Sequence, residues 1–225
     1  MTDRSGNRIL INGTSGTGKT NLGRVLCQDT KRLLAFDPDE QFIKMPGVIQ
    51  INNPESLLEI LTDCWDLPFR VSYEPQGDLE AELDMVSQMV LGMQQPYRQG
   101  HEDAQKVTLA VDELHQSYPL QVSKNHAFSI VAQKGRKCGI NVIGITPLPA
   151  DVGMKFRQNV NRCAAFYITG EAGRKAVAKI MDDDDSVVQG IVDVAEFSYL
   201  YWEMGQKTKW EYMPPVPLFA DPAKL

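Results

Sequence analysis

The sequence reads Gly13-Thr14-Ser15-Gly16-Thr17-Gly18-Lys19-Thr20 near its start, and this stretch fits the pattern G-x-x-x-x-G-K-[ST] at every fixed position. The apolar run Ile9-Leu10-Ile11 precedes it, and a helical pattern over residues 21–28 follows. In this context the loop glycines let backbone N–H groups wrap an anion, and the new helix adds the positive end of its dipole. The pattern therefore predicts a phosphate-binding loop.

A nucleoside triphosphate is the ligand that such a loop predicts. Lys19 is expected to reach the β- and γ-phosphates, and the Thr20 hydroxyl is expected to ligate Mg²⁺. No base-reading motif is evident, so ATP and other triphosphates both stay open. The expected nucleotide-binding residues are Gly13, Thr14, Ser15, Gly16, Thr17, Gly18, Lys19, Thr20 and Asn21.

Length and composition indicate an ordinary globular chain, with 225 residues of which 43% are hydrophobic and 23% charged. We expect one domain over residues 1–225, with a core over about 7–195 and a hairpin with a Pro-rich tail over about 196–225. No apolar run approaches the ~20 residues that span a bilayer, and the first residues lack the apolar core of a signal peptide. The four cysteines form no C-x-x-C pair, which favours reduced, largely buried thiols in the cytoplasm.

The formal net charge is −6, whereas proteins that coat nucleic acid usually carry a basic balance. An acidic chain can still contact nucleic acid through a local basic lining, for instance inside a ring. The charge therefore disfavours a simple DNA-coating module and leaves a DNA motor open.

Short apolar runs alternate with helical patterns, which predicts an α/β fold with a mostly parallel, twisted sheet flanked by helices on both faces. The predicted strands are 8–12, 33–36, 69–73, 107–112, 140–145 and 163–168. The predicted helices are 21–28, 54–63, 79–93, 125–137, 150–159 and 171–181.

The end of the chain has a different character. Residues 197–202 and 207–212 flank a turn at Gly205, which predicts an antiparallel C-terminal β-hairpin. The Pro-rich stretch 213–217 cannot continue a central strand. We expect it to form an extended tail, which could pack on a neighbouring copy of the chain.

Besides the phosphate-binding loop, triphosphate hydrolysis needs an acidic position at the end of a neighbouring strand. The strand over 107–112 supplies it. This hydrophobic strand ends in Asp112 and leads to Glu113. Asp112 is expected to hold Mg²⁺ directly or through water, and Glu113 to polarise the attacking water as general base. A buried strand followed by an acidic turn is common by itself. Paired with the phosphate-binding loop, it favours hydrolysis over transfer to a hydroxyl acceptor.

Two further segments have a more specific form. Residues 33–42 read Leu-Leu-Ala-Phe-Asp-Pro-Asp-Glu-Gln-Phe, which places Asp37 just past the second strand. Residues 135–147 form a basic helix end that runs into an apolar strand ending in Thr146. Taken in order with the loop and the acidic pair, they resemble the FtsK/HerA superfamily of ring-forming, DNA-translocating ATPases. The resemblance covers roughly residues 7–202 and implies a RecA-like P-loop NTPase that uses ATP and Mg²⁺.

The chain has room only for a motor core and the hairpin. In this it looks like the small genome-packaging ATPases of membrane-containing, double-jelly-roll viruses such as the tectiviruses. This resemblance implies a homo-oligomer, a hexameric ring, that pushes double-stranded DNA into a preformed capsid. Capsid or membrane-vertex proteins are further implied partners of a chain without a transmembrane segment of its own. The host cytoplasm or the virion is the implied location, and secretion is not expected.

The sequence departs from the family at one position. In the family, the strand after the basic helix usually ends in Thr-Gln, with the Gln sensing the γ-phosphate or orienting water. Here Pro147 follows Thr146, and proline offers neither a side-chain hydrogen bond nor a backbone N–H. The sensor role therefore falls to Thr146 or to a glutamine elsewhere.

Ring ATPases complete each site with an arginine of the next subunit, which stabilises charge on the transferring phosphoryl group. Arg136 is in the position that the resemblance favours for this role, and Arg157 and Arg162 are the other candidates. A solvated arginine or a salt bridge is the alternative for each. Arg136 could also line a DNA channel together with Lys134 and Lys137.

Three other features suggest chemistry but have simpler interpretations. P-loop hydrolysis needs no imidazole, so His115 is expected to have a surface or packing role. The four carboxylates at 182–185 are expected to form a solvated loop and not a cation site. The hairpin aromatics Trp202 and Trp210 could stack on bases, but we expect them to pack on the core.

The ordered segments favour a DNA-translocating ATPase, with viral genome packaging as its setting. Two alternatives remain: a monomeric P-loop kinase or phosphotransferase, and a nucleotide-gated assembly or secretion ATPase. A kinase would need an arginine-rich lid over the phosphates, which the sequence does not show. Stimulation of ATP hydrolysis by double-stranded DNA would separate the motor from the gated ATPase.

Overall fold

The computed structural model describes residues 6–123, 125–182, 185–206 and 210–218. Within these residues, strands β1 to β9 form one sheet in the order β3-β4-β2-β5-β6-β1-β7-β8-β9. The pairs from β3 through β7 are parallel and the last two are antiparallel, which confirms the predicted mostly parallel sheet and its C-terminal hairpin. The strands are β1 (Arg8–Asn12), β2 (Arg32–Phe36), β3 (Ile49–Ile51), β4 (Phe69–Tyr73), β5 (Val107–Val111), β6 (Ile140–Thr146), β7 (Arg162–Ala165), β8 (Tyr199–Glu203) and β9 (Glu211–Met213).

Helices cover both faces of the sheet. Two of them have the predicted bounds, and each begins at a side-chain cap: Asn53 accepts from the Ser56 N–H, and Asp78 from the Ala81 N–H. The helices in the described residues are α1 (Lys19–Cys27), α2 (Pro54–Asp63), α3 (Leu79–Met93), α4 (Gln95–Gln99), α5 (Leu114–Ser117), α6 (Ala127–Lys134), α7 (Met154–Arg157), α8 (Glu171–Ile180) and α9 (Asp185–Asp193). None of these described helices has the length and apolar character needed to cross a membrane.

The central strands are buried on both faces because their successive side chains enter two different cores. Leu10 of β1 packs in the larger core, under the side covered by α2, α3 and α6. Its neighbours Ile9 and Ile11 pack in a smaller core with Leu22 of α1. Continuous apolar runs of this kind are typical of parallel strands that are covered on both faces. The phosphate loop begins directly after the run that forms β1.

Two predicted helices are broken by tight packing. The predicted helix over 125–137 is α6 followed by a 3₁₀ turn at Gly135–Cys138, where a Cβ on Gly135 would lie 3.1 Å from the Ile140 carbonyl oxygen. The predicted helix over 150–159 is a 3₁₀ turn followed by the short α7. The interruption falls at Gly153, because its backbone presses against Tyr118 and its N–H donates to the Tyr118 carbonyl at 2.9 Å.

Other bounds also differ from the sequence prediction. The predicted strand over 163–168 ends at Ala165, because the chain then leaves the sheet and its Tyr167 carbonyl accepts from the Thr14 N–H at 2.8 Å. The short edge strand β3 was not predicted, since its three residues are fewer than the four to eight over which alternation indicates a strand. The predicted acidic loop is partly wrong, since Asp185 begins α9; Asp183 and Asp184 lie outside the described residues.

The hairpin aromatics pack as predicted. Trp202 is buried in the larger core, and its indole N–H donates to Asp182 at 3.0 Å. Trp210 is partly buried and donates to the Ser186 hydroxyl at 3.1 Å. The cysteines are free thiols, three of them buried and Cys64 half-buried, as the sequence predicted.

Candidate active site

The loop that follows β1 is shaped by glycines and held from behind. Gly13 has φ +153°, and a Cβ there would lie 2.6 Å from the Phe166 Cβ, so the position accepts no side chain without movement. Gly18, with φ +103°, is the residue from which α1 starts. The Thr17 hydroxyl donates to the Thr14 carbonyl at 2.8 Å. These contacts curve the backbone of residues 13–20 around the N-terminus of α1.

Lys19 lies inside this curve. Its side chain is 7% exposed, and Nζ donates to the Thr14 carbonyl oxygen at 3.0 Å. Burial lowers the pKa of Lys19, while the charges of Glu113 and Asp112 act in the opposite direction. An anion in the curve of the loop can replace the Thr14 carbonyl as the acceptor for Nζ.

Asp112 follows β5 and is positioned by the sheet. Its backbone N–H donates to the Phe36 carbonyl at 3.0 Å, and its side chain is almost fully buried. Burial raises its pKa to about 7; the Glu113 N–H opposes this rise, and the charges of Asp37 and other nearby carboxylates add to it. The Asp112 carboxylate is thus shielded from water and lies near other carboxylates, and a bound cation would compensate these negative charges.

Glu113 has a backbone conformation that is uncommon for its residue type. Its φ is 46° and its ψ is 44°, and its N–H donates to the Asp112 Oδ1 atom at 3.0 Å. Non-glycine residues held in this left-handed region cluster at functional sites. His115, for which a surface or packing role was expected, lies beside it: Nδ1 is 3.3 Å from the Glu113 Oε2 atom.

Asp37 holds the segment that suggested the family. Its carboxylate accepts from the Gln41 N–H at 2.8 Å, the Phe42 N–H at 2.7 Å and the Ser72 hydroxyl at 2.7 Å. These bonds fix the turn between β2 and the 3₁₀ turn at Phe42–Lys44. The Gln41 side chain donates to the Asp39 carbonyl at 2.7 Å and reaches the front of the site. Asp37 thus has a structural role: it fixes the turn from which Asp39 and Gln41 line the site.

All of these elements meet at one cavity of about 360 Å³. It is bounded by the phosphate loop and α1, by the acidic pair after β5, by the turn after β2, and by residues near the C-terminus. Its lining residues are Ser15, Gly16, Gly18, Lys19, Thr20, Asn21, Arg24, Asp39, Gln41, Asp112, Glu113, Phe197, Val216 and Leu218. Of the predicted nucleotide-binding residues, Gly13, Thr14 and Thr17 shape the loop without lining this cavity.

Thr146 does not reach the cavity. It is fully buried at the end of β6, opposite Asn12 of β1, and its hydroxyl accepts from the Leu148 N–H at 3.0 Å. Gln41, in contrast, is a glutamine among the residues that line the cavity. Of the two, Gln41 is therefore the better candidate for the sensor role that Pro147 cannot fill.

The three candidate arginines lie at the opposite edge of the sheet. Arg136 precedes β6, Arg157 precedes β7, and Arg162 is the first residue of β7, whereas the cavity is at the carboxyl ends of the parallel strands. Arg162 pairs with Glu203 on β8, with Nη2 to Oε1 at 2.8 Å. No arginine of this set enters the cavity of its own chain, so any contribution to a site would be to that of a neighbouring copy.

Sequence reasoning missed six lining residues, one of which, Asp39, lies with Gln41 in the turn after β2. Arg24 could have been found, because it is four residues after Thr20 and so shares a face of α1 with it. Gln41 was in a segment already singled out. Phe197, Val216 and Leu218 reach the cavity from far along the chain, well beyond β7, and no local pattern indicates that contact.

The donor set fits Mg²⁺. Among the described residues, no group of three or more His, Cys, Asp or Glu side chains is arranged to hold a metal ion. Mg²⁺ in nucleotide sites needs less, since one or two protein oxygens and the substrate phosphates hold it with water. The Thr20 hydroxyl and the Asp112 carboxylate line the same cavity and are oxygen donors of this kind.

Comparison with protein-family models gave no match, and comparison with curated proteins gave none either. Comparison with solved structures gave many. The genome packaging NTPase B204 from Sulfolobus turreted icosahedral virus 2, in complex with AMPPCP, matches with a TM-score of 0.75 and 11% identity, over 94% of this chain and 98% of that one.

Two further structures have the same architecture. VirB4 of Thermoanaerobacter pseudethanolicus matches with a TM-score of 0.65 and 12% identity, over 100% of this chain and 92% of that one. The bacterial conjugative coupling protein TrwB matches with a TM-score of 0.63 and 12% identity, over 95% of this chain and 86% of that one. At these identities the similarity establishes the fold alone: the chain has a RecA-like P-loop NTPase fold, as predicted.

Proposed function

We propose that residues 1–225 form one motor domain that hydrolyses ATP and moves double-stranded DNA. The observation that carries the hydrolase part is the meeting of Lys19, Thr20, Asp112 and Glu113 at one cavity. Two distant stretches of sequence supply what phosphoryl transfer to water needs: a phosphate cradle, two oxygen donors for a metal, and a separate carboxylate for the water.

Each of these residues has one task in the proposed reaction. Backbone N–H groups of the loop and Lys19 bind the phosphates, and Lys19 exchanges the Thr14 carbonyl for a phosphate oxygen. Thr20 and Asp112 would hold Mg²⁺, which when bound neutralises charge on the β- and γ-phosphates. Glu113 accepts a proton from the attacking water as general base. Gln41 orients that water or senses the γ-phosphate.

The site of one chain is completed by another in this proposal. Arg136 is exposed at the sheet edge opposite the cavity, and so can act only on a neighbouring copy. A guanidinium supplied in trans stabilises the charge that develops on the transferred phosphoryl group. This favours a ring, hexameric by resemblance, in which hydrolysis in one subunit is coupled to contact with the next.

Packaging of viral DNA is the setting we favour. The fold matches that of a genome packaging NTPase over nearly the whole of both chains, which supports this setting. VirB4 and a bacterial conjugative coupling protein share the fold at TM-scores of 0.65 and 0.63, so the assembly or secretion alternative is the one that needs an experimental answer.

ATP hydrolysis with and without double-stranded DNA tests the proposal. We expect turnover to rise in the presence of linear duplex, and the mass in solution with ATP and DNA to be a multiple of the chain mass. A gated secretion ATPase would hydrolyse ATP at a rate that duplex does not change. A kinase would stay monomeric and hydrolyse little ATP without an acceptor, and either result would overturn the motor.

A further inference from the structure

A second concave surface lies between α2 and α3, on the side of the sheet that holds the larger core. This groove has a volume of about 440 Å³, and its lining residues differ from those of the phosphate-loop cavity. Leu58 there is 50% exposed, and the half-buried Trp65 ring stands edge-on to His101 at a centroid distance of 5.0 Å. The groove residues are Leu58, Leu61, Thr62, Trp65, Gln88, Met89, Gly92, Met93 and Pro96.

The surface that the groove offers is mainly apolar, because its polar side chains are bonded within their own helices. The Thr62 hydroxyl donates to the Leu58 carbonyl at 2.7 Å. The Gln88 amide donates to the Asp84 carboxylate at 2.9 Å. An exposed leucine and a tryptophan held by a neighbouring ring thus face outward, and tryptophan is enriched among the residues that dominate binding energy at interfaces.

Gly92 leaves a space in the wall of the groove. It lies in α3, where a glycine lowers helix stability relative to an alanine. A Cβ built at this position would have no heavy atom of the other described residues within 4 Å, apart from the backbone of the helix itself. Packing within the chain therefore does not require a glycine there. The missing side chain instead allows another backbone to approach α3 closely.

The part of the chain that forms the groove is strongly acidic. Residues 45–105 contain eleven aspartates and glutamates, two arginines and no lysine, a net charge of −9 against −6 for the whole chain. Arg70 is one of these two arginines, and it donates to the Gln28 and Thr30 carbonyls at 2.9 and 2.8 Å, just ahead of β2. The negative charge of the chain is thus concentrated around α2 and α3.

Exposed carboxylates border the groove. On α2, Glu55 lies one turn before Leu58, and Glu59 lies one turn before Thr62. Further along, Glu102 directly follows the histidine that contacts the groove tryptophan. The potential at the groove is therefore negative, so it attracts cationic side chains and repels the phosphates of nucleic acid.

We propose that the groove between α2 and α3 docks a basic amphipathic helix of a partner protein. Two packed helices present a trough for a third, whose apolar side chains at i, i+3 or i+4, and i+7 enter the groove. Lysines and arginines beside that apolar stripe then face the carboxylates of α2. A second copy of this chain offers the basic α8, but its Val177 is packed in its own core. The inference does not depend on the proposed function, because the groove is separate from the nucleotide cavity.

A displayed library of 15-residue helical peptides, the length of α3, tests the proposal with the full chain as target. Peptides are selected for binding to the wild type and against binding to Leu58→Ser. We expect the selected peptides to have apolar residues at helical spacing and an excess of lysine and arginine. The tightest of them should bind at least about tenfold more weakly to Leu58→Ser and to Glu59→Lys, the scale of one lost anchor residue.

Gly92→Leu is a second variant that does not rely on loss of packing. It fills the groove with a better helix former, so it should abolish peptide binding without lowering the thermal unfolding midpoint. Leu120→Ser, at a leucine of equal exposure outside the groove, is the control and should bind the peptides like the wild type. ATP hydrolysis by Leu58→Ser should equal that of the wild type, and peptide binding by a chain without ATPase activity would leave the groove standing and overturn only the proposed function.

Three outcomes would overturn the docking site. The first is a library without peptides that distinguish the wild type from Leu58→Ser. The second is a selected set that is neutral or acidic, or that binds Gly92→Leu as tightly as the wild type. The third is a dimer of the wild type that Gly92→Leu dissociates, since a second copy would then occupy the groove.

Discussion

His115 Nδ1 lies 3.3 Å from Glu113 Oε2, and the two side chains are 14% and 23% exposed. The Nδ1 atom is buried and makes no hydrogen bond, so the relationship is one of proximity. The backbone of Glu113 is strained at the same place. A general base needs a fixed carboxylate direction, and the imidazole limits the directions open to this one.

Replacing His115 should therefore impair chemistry and not binding. We expect His115→Ala to lower kcat for ATP hydrolysis by about tenfold, the scale of one lost positioning contact, with the Kd for ATP unchanged. His101→Ala is the matched control, because His101 is an exposed histidine that approaches Asp103 at 3.8 Å, outside the cavity. An unchanged kcat in His115→Ala would return this residue to a packing role.

Replacing the proposed general base, Glu113, should have a larger effect on turnover. Glu113→Gln keeps the size of the side chain and removes its capacity to take a proton, so turnover should fall by at least about a hundredfold while ATP still binds. Glu102→Gln, a change at an exposed glutamate, serves as control. Normal turnover in Glu113→Gln would remove the proposed role.

Asp112 makes stability depend on pH. The unfolded chain releases this proton near about pH 4, whereas burial holds the pKa in the fold at about 7. The folded state therefore binds an additional proton between these values, and the free energy of unfolding contributed by this group falls as pH rises through them.

Asp112→Asn should abolish that component. In urea unfolding, the variant should gain stability over the wild type as pH rises from 5 to 8, whereas Asp29→Asn at an exposed site should follow the wild type. A difference between Asp112→Asn and wild type that stays constant over this range would contradict the buried, proton-binding carboxylate.

Arg136 should act only between copies. We expect Arg136→Ala to bind ATP normally and to lose most turnover in the assembled ring, and mixing it with Glu113→Gln should restore part of the activity, because some interfaces then have both intact residues. Lys137→Ala, at the adjacent exposed position, is the control. If both variants lose DNA binding equally and keep DNA-free turnover, the pair lines a DNA channel and the arginine finger is wrong.

The parts of the site that the sequence predicted are those formed by short contiguous motifs. The loop at 13–20 and Asp112-Glu113 each follow a buried strand, and parallel strands carry such ends to the same edge of a sheet. Phe197 and Val216 could not be predicted, because Phe197 reaches the cavity from the turn before β8 and Val216 from the tail after β9, and no local periodicity encodes either contact. Gln41 was visible, but its approach to the cavity depends on the bonds that Asp37 makes with the turn.

Movement along DNA is the central claim, and displacement of a triplex-forming oligonucleotide from a linear duplex measures it directly. The account predicts that the wild-type chain displaces the third strand when ATP is hydrolysed, and that Glu113→Gln with ATP does not. Hydrolysis of ATP in the presence of the duplex with the third strand left in place would contradict it.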